Sequence, residues 1–176
     1  ANKNGFYYVL DRETGEFLHA SEFAKQTWAN GIDRDGRPQV RENTEPSKKG
    51  TLIYPSASGA TNWWPPAYSK DSGLFYVPVA ERGAIYFKHY EEFETGKMYL
   101  GSTGQGIVGG DSYTAVRALV ATTGKLKWEF RLPPRKKRAV IGGILSTSAG
   151  LIFFGDNNHF YALDSVLGEK LWDVNL

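Results

Sequence analysis

The chain has 176 residues, of which 41% are hydrophobic and 14% aromatic, so it can bury a sizeable core and is not a disordered coil. Its formal net charge of +2 and its short apolar runs exclude a strongly basic nucleic-acid-binding domain and a transmembrane helix. The absence of cysteine excludes a disulfide scaffold, a thiol nucleophile and a cysteine-ligated metal site. Twenty glycines and eight prolines favour an all-β fold of short strands joined by tight turns.

The secondary structure can be predicted in chain order from runs of aromatic and β-branched residues between turn residues. Strands are predicted over residues 6–10, 51–54, 74–79, 126–131, 141–146, 151–155, 160–164 and 170–174. Ser21 is a candidate helix cap, so residues 21–29 are predicted to form a helical turn or two. Residues 30–50 are expected to be a polar connection without periodicity, and residues 80–113 an irregular stretch.

One turn sequence occurs three times. Residues 9–19, 118–128 and 162–172 align without gaps, each with Leu second and Gly seventh, and the last two copies end in Trp128 and Trp172. This pattern predicts a bulged hairpin closed by a glycine with positive φ, followed by a strand whose aromatic residue packs on a neighbouring sheet. Trp128 and Trp172 are therefore expected to pack between blades, whereas Trp28 is expected to contribute little to stability.

The spacing of the repeats predicts a β-propeller. Gly124 and Gly168 are 44 residues apart, and a four-stranded propeller blade has about 40–50 residues. Further strands precede the second copy at residues 62–68 and 73–79, and the third copy at residues 143–147 and 150–155. We therefore predict a partial β-propeller of about two and a half four-stranded antiparallel blades. The predicted divisions are a half blade 1–23, a connection 24–50, a blade 51–132 with an insertion 80–113, and a blade 139–176.

An ordered set of segments resembles the C-terminal part of the quinoprotein alcohol dehydrogenases, which use pyrroloquinoline quinone (PQQ). These segments are residues 4–15, 59–66, 73–78 and 142–147. The resemblance implies an eight-bladed propeller in the periplasm, with PQQ on its axis and Ca²⁺ or a lanthanide beside the quinone. It also implies an aspartate base that acts on the alcohol substrate, and a cytochrome c that accepts the electrons. The family's metal-ligand and base segments match nothing in this chain, so the isolated chain is expected to be inactive.

The same resemblance implies three cofactor contacts. Lys3 matches a family cation that reaches the quinone oxygens, where a positive charge stabilises the reduced quinone. Asn62 matches an asparagine whose side chain hydrogen-bonds the cofactor. The pair Ile141 and Gly142 matches a place where a main-chain N–H contacts the cofactor, although the family commonly has Trp at the position of Ile141.

A second class of function is a non-catalytic propeller that serves as an interaction scaffold. The open faces of a partial ring are expected to pair with the rest of the propeller or with another copy of the chain. The basic run 135–138 is expected to be a solvated loop or a docking edge for an acidic partner. Residues 104–109 fit G-x-G-x-x-G, but no βαβ unit surrounds them, so a dinucleotide site is not expected. His19, His89 and His159 lack metal-ligand spacing.

Overall fold

A computed structural model describes residues 1–107, 112–133 and 141–176 of the chain, and these residues form strands and turns without helix. No helix in the described part could cross a membrane. The predicted helical turn over residues 21–29 is wrong, because one strand continues to Glu22 and the next begins at Ala29. In chain order, the strands are β1 (Phe6–Leu10), β2 (Phe17–Glu22), β3 (Ala29–Ile32), β4 (Pro38–Val40), β5 (Thr51–Ile53), β6 (Ala67–Ser69), β7 (Leu74–Glu81), β8 (Ala84–Lys88), β9 (Ser102–Gly106), β10 (Tyr113–Val120), β11 (Leu126–Arg131), β12 (Ile141–Ser146), β13 (Leu151–Asp156), β14 (His159–Asp164) and β15 (Lys170–Asn175).

Three of the sheets have the arrangement expected of propeller blades. Strands β6, β7, β10 and β11 form one four-stranded antiparallel sheet, and β12 to β15 form a second. Strands β1 and β2 form a two-stranded sheet that corresponds to the last two strands of a blade. We call these the half blade, the middle blade and the last blade. The predicted fold class, a partial propeller of about two and a half blades, is confirmed.

The repeated turn has the predicted chemistry. Each copy contains a register shift just before its turn, and its glycine has a positive φ: 76° at Gly15, 66° at Gly124 and 73° at Gly168. In the first copy, Asp11 Oδ1 accepts hydrogen bonds from the amides of Glu13 at 2.9 Å and Thr14 at 2.8 Å. The third copy repeats this arrangement at Asp164, whose Oδ1 accepts from the amides two and three residues ahead. These backbone donors hold the pKa of the Asp11 carboxyl below its ordinary value.

Two small sheets occupy stretches that the sequence predicts to be irregular. Strands β3 and β4 form a hairpin inside the expected connection 24–50. Strands β8 and β9 lie within residues 80–113 and pair with β5 to form a three-stranded sheet. The strand near residue 51 is therefore real, but it belongs to this sheet and not to the middle blade. The predicted strand 62–68 is also shorter than expected, because β6 begins only at Ala67.

The middle and last blades meet through Trp128, as predicted. Its ring lies against Gly168, where an added Cβ would come within 2.5 Å of the indole. The indole Nε1 donates a hydrogen bond to the Ser165 carbonyl at 3.0 Å. Trp128 belongs to an apolar cluster that also contains Tyr76 and Ile144 from the two blades. Glycine at position 168 is thus required both by its positive φ and by the close approach of the indole.

The expectations for Trp172 and Trp28 need correction. Trp172 is 50% exposed, because no described sheet lies beyond β15 to cover it. Trp28 contributes more than expected: its ring meets Phe6 edge-on with centroids 6.0 Å apart. Its Nε1 also donates to the Asn4 carbonyl at 2.9 Å. The indole of Trp28 therefore ties the connection to the half blade.

Replacement of the tryptophan between the blades should destabilise the chain far more than replacement of the exposed one. Trp128→Ala should lower the free energy of unfolding by about 3–5 kcal/mol, because it empties a buried aromatic site. Trp172→Ala should stay within about 1 kcal/mol of wild type, because the residue is half exposed. Urea denaturation followed by circular dichroism gives both values. Equal losses for the two variants would contradict the packing described for Trp128.

Candidate functional site

The topology brings the predicted site residues to one end of the blades. In an up-and-down four-stranded sheet, the first and third strands start at the same end. Lys3 precedes β1, which aligns with the third strands β10 and β14, whereas Asn62 precedes the first strand β6 of the middle blade. Gly142 lies at the start of β12, the first strand of the last blade. We call this the candidate end of the molecule.

Lys3 is held through its backbone. The Ala60 amide donates to the Lys3 carbonyl at 3.0 Å. Gly59 has a φ of +84°, and a Cβ there would lie 3.0 Å from Lys3 Cα and 2.6 Å from the Thr61 carbonyl oxygen. The side chain of Lys3 is exposed and forms no ion pair within the described residues. The backbone is therefore fixed while the ammonium group can meet a ligand.

Asn62 follows directly on the loop that holds Lys3. Its side chain is exposed, and Nδ2 donates one hydrogen bond to the Ser58 carbonyl at 3.1 Å. A primary amide has two N–H groups and a carbonyl oxygen, so with respect to the described residues Asn62 keeps one donor and its acceptor. The ring of the next residue, Trp63, is 73% exposed, whereas Trp64 is buried in the apolar cluster between the blades.

The third predicted contact lies beside the same loop. The Ile144 amide donates to the Pro65 carbonyl at 3.0 Å, and a Cβ on Gly143 would lie 3.1 Å from Pro65 Cδ. The side chain of Ile141 is completely buried in the cluster between the blades. At residues 141 and 142, only main-chain atoms are therefore available to a ligand.

A cleft of about 420 Å³ adjoins this end of the molecule. One wall is formed by the loop that leads to Asn62, at Ser56 and Ser58, and the other by β8 and β9. Most of the exposed lining is apolar, with Tyr86 and Leu100 as its large members.

Sequence reasoning missed a buried charged network at the same end of the middle blade. Arg117 Nη1 donates to Glu81 Oε1 at 2.7 Å, and Arg117 Nε donates to Glu129 Oε2 at 2.6 Å. Arg117 Nη2 also donates to the Tyr113 hydroxyl at 2.9 Å. Arg131 Nε donates to Glu129 Oε1 at 2.6 Å from the solvent side. A charged residue at position 117, inside an otherwise apolar strand, is the sequence signal that could have revealed this network.

The electrostatics of this network favour its charged form. Burial lowers the pKa of Arg117, but Glu81 and Glu129 outweigh that effect, so the pKa is raised. Burial raises the pKa of Glu129, but hydrogen bonds from Arg131 and the charge of Arg117 hold it below its ordinary value. Arg117 and Glu129 therefore stay ionised at neutral pH.

Two of the sequence signals lie partly or wholly outside the described residues. The basic run 135–138 is outside them, as are the last two positions of the pattern 104–109. Strand β9 contains residues 104–106, and no helix follows in the described part, so the dinucleotide pattern has no structural support there. No group of three or more His, Asp or Glu residues suited to a metal ion occurs among the described residues.

Comparison with known proteins places this architecture in one family. The chain is 37% identical over 187 residues to a quinoprotein ethanol dehydrogenase of Pseudomonas putida, a match that covers 98% of this chain and 29% of that protein. The structure matches the quinohemoprotein alcohol dehydrogenase ADHIIG from Pseudomonas putida HK5 with a TM-score of 0.86 and 30% identity, over 98% of this chain and 27% of that one. The chain belongs to the quinoprotein alcohol dehydrogenase family.

A further structural relative of the family contains a metal. The structure matches a europium-containing methanol dehydrogenase with a TM-score of 0.82 and 31% identity, over 99% of this chain and 31% of that chain. No family model matches the chain. The chain spans about 30% of the length of the quinoprotein relatives that it matches. The predicted resemblance to this family is thus confirmed.

Because of its charged network, the free energy of unfolding of this family member should depend on pH in the acid range. Because its pKa is lowered in the folded state, Glu129 stabilises the fold above the pKa of an unfolded glutamate, about 4.3. That stabilisation is lost as the pH falls through the lower folded-state pKa. The free energy of unfolding should therefore fall less steeply in Glu129→Gln than in wild type between about pH 4 and pH 2.

The measurement is urea denaturation at a series of pH values. The matched control is Glu91→Gln, which changes an exposed carboxyl group without touching the network. Its acid dependence should equal that of wild type. If Glu129→Gln were as acid-sensitive as wild type, the lowered pKa of Glu129 would be wrong.

Proposed function

We propose that this chain supplies part of a PQQ site in a protein that oxidises alcohols. The observation that carries the proposal is the meeting of Lys3 with the Asn62 loop at the candidate end, in a chain that belongs to the quinoprotein alcohol dehydrogenases. The names of two relatives refer to ethanol and methanol, so a primary alcohol is the substrate class that we favour.

The donor set fits this cofactor. PQQ carries carboxylates and an ortho-quinone, and when bound it supplies a two-electron acceptor. The exposed ammonium of Lys3 would pair with its oxygen atoms and stabilise negative charge on them. Asn62 would offer its remaining N–H group, and the exposed ring of Trp63 would offer an apolar surface. At residues 141 and 142, the contribution would come from the main chain alone.

The proposal assigns neither a metal ligand nor a catalytic base to the described residues. The candidate end supplies donors and a cation, and the described chain holds no metal-ligand cluster. The calcium or lanthanide that the resemblance implies would be held by other segments, as would the base. We also propose that the protein lies in the periplasm and that a cytochrome c accepts its electrons.

Cofactor binding can be tested in the protein at its full natural length. Titration with PQQ should quench tryptophan fluorescence, because the exposed Trp63 directly follows Asn62 in the chain. Lys3→Gln should weaken PQQ binding by about tenfold or more, because a charged hydrogen bond contributes about 1.5–3 kcal/mol.

The matched control for this test is Lys70→Gln. Lys70 is an exposed lysine in the turn between β6 and β7, away from the start of β6, and its replacement should leave the affinity unchanged. Failure of the wild-type protein to bind PQQ would contradict the proposal and favour the scaffold function.

The isolated 176-residue chain, given PQQ, Ca²⁺ and ethanol, should reduce no artificial electron acceptor above background.

We further propose that the outer face of the last blade packs against another blade. Trp172 is half exposed there, whereas Trp128, its counterpart in the repeat, is covered by a turn glycine. Around Gly15, the first turn glycine, no atom of the described residues lies within 4 Å of an added Cβ. The same contact could therefore form between Trp172 of one copy and the Gly15 turn of another, or with a blade elsewhere in the full protein.

The isolated chain should therefore associate as its concentration rises, because the half-exposed Trp172 is the kind of apolar surface that neighbouring blades bury. Trp172→Lys should weaken this association in sedimentation equilibrium. Trp63→Lys is the matched control, because it removes an exposed tryptophan at the candidate end. A monomer at every concentration would contradict the proposed packing.

A further inference from the structure

We propose that Arg117 is a positioning residue that sets the place of Lys3 at the candidate end. The inference rests on the proposed function, in which Lys3 contacts the cofactor. Arg117 is buried in the middle blade, and its guanidinium faces the half blade, where it donates to the Phe23 carbonyl. Two paths, each made of hydrogen bonds and the covalent links between them, lead from this guanidinium to the backbone around Lys3.

The first path passes through the segment that follows β2. Arg117 Nη1 donates to the Phe23 carbonyl at 2.5 Å, and the Phe23 amide donates to the Gly5 carbonyl at 3.0 Å. Gly5 lies two residues after Lys3, and its φ of +94° belongs to the turn that begins at Asn2. Arg117 therefore holds the far side of the turn that carries Lys3.

The second path passes through the end of β7. Arg117 Nη1 also donates to Glu81 Oε1 at 2.7 Å, and both carboxylate oxygens of Glu81 lie 3.1 Å from the Lys25 amide. The adjacent residue, Ala80, donates its amide hydrogen to the Ala60 carbonyl at 2.7 Å. The Ala60 amide in turn donates to the Lys3 carbonyl at 3.0 Å. Arg117 is thus linked indirectly to Lys3 by two separate paths.

Only arginine can fill this position. Its planar group has five N–H donors in a fixed fork, and here it serves a main-chain carbonyl, two carboxylates and a phenol. A lysine would keep the charge, but its single ammonium cannot bond to all of these partners at once. Loss of the charge would leave Glu81 buried without its counter-ion.

The test compares Arg117→Lys and Arg117→Met with the matched control Arg131→Met in the full-length protein. Arg131 belongs to the same network, but its side chain is 64% exposed and, in the described structure, it forms no hydrogen bond or ion pair with Phe23 or Glu81. Arg117→Lys keeps the test decisive if Arg117→Met does not fold.

The first readout is amide hydrogen exchange. Exchange at Phe23, Ala60 and Ala80 should become at least several-fold faster in the Arg117 variants. It should stay unchanged in Arg131→Met, and unchanged at Phe154 in the last blade for every variant. Unchanged exchange at Ala60 and Phe23 would overturn the proposal, as would equally faster exchange at Phe154, which would indicate general loosening of the fold.

The second readout is the affinity for PQQ, measured by fluorescence titration. Arg117→Lys should lower the affinity, but the double variant Lys3→Gln with Arg117→Lys should bind no more weakly than Lys3→Gln alone, because Arg117 acts through Lys3. Additive losses would overturn the proposal. If wild-type protein binds no PQQ, the proposed function fails, and the exchange measurement still decides whether Arg117 positions the Lys3 segment.

Discussion

Neighbouring blades of this molecule are held at two points, one at each end of their strands, and the candidate site depends on this constraint. Between the middle and last blades, Trp128 lies on Gly168 at the repeated turn, and the Pro65 carbonyl accepts from Ile144 towards the other end. Between the half blade and the middle blade, the Tyr7 hydroxyl donates to the Ala121 carbonyl at the turn, and the Ala60 amide donates to the Lys3 carbonyl at the other end. Two separated contacts fix the tilt of one sheet against the next, so loops from three blades can be brought together.

The two junctions solve the same packing problem with different chemistry. The junction between the middle and last blades is apolar and aromatic, and it forms the larger buried cluster. The other junction has a smaller apolar cluster and places Arg117 with its carboxylates beside it. Since desolvation of a buried ion pair offsets much of its attraction, apolar residues there would give comparable stability. The specific contribution of Arg117 is directional, because its fork fixes the places of Phe23 and Glu81.

The sequence predicted the blades well, because their signals are local and repeated. The turn glycines and the strands beside them follow from φ preferences and periodicity, and they recur at Gly15, Gly124 and Gly168. The small sheet of β5, β8 and β9 was missed, although its strand near residue 51 was predicted, because the glycine-rich β9 becomes a strand only by pairing with β8. The exposure of Trp172 was also mispredicted, since the sequence pattern gives the residue but not the sheet that would cover it.

The candidate site was less predictable, because its residues are set by backbone contacts that no pattern records. Nothing in the residues next to Lys3 shows that Ala60 binds its carbonyl or that Arg117 supports the turn behind it. The buried side chain of Ile141 limits its position to main-chain contacts, so in the proposed cofactor site the charge comes from Lys3 and the side-chain amide from Asn62. Both lie on loops, whose precision comes from the scaffold beneath them. The buried charged network is the scaffold beneath Lys3. The position of the Lys3 cation therefore depends on the buried cation of Arg117.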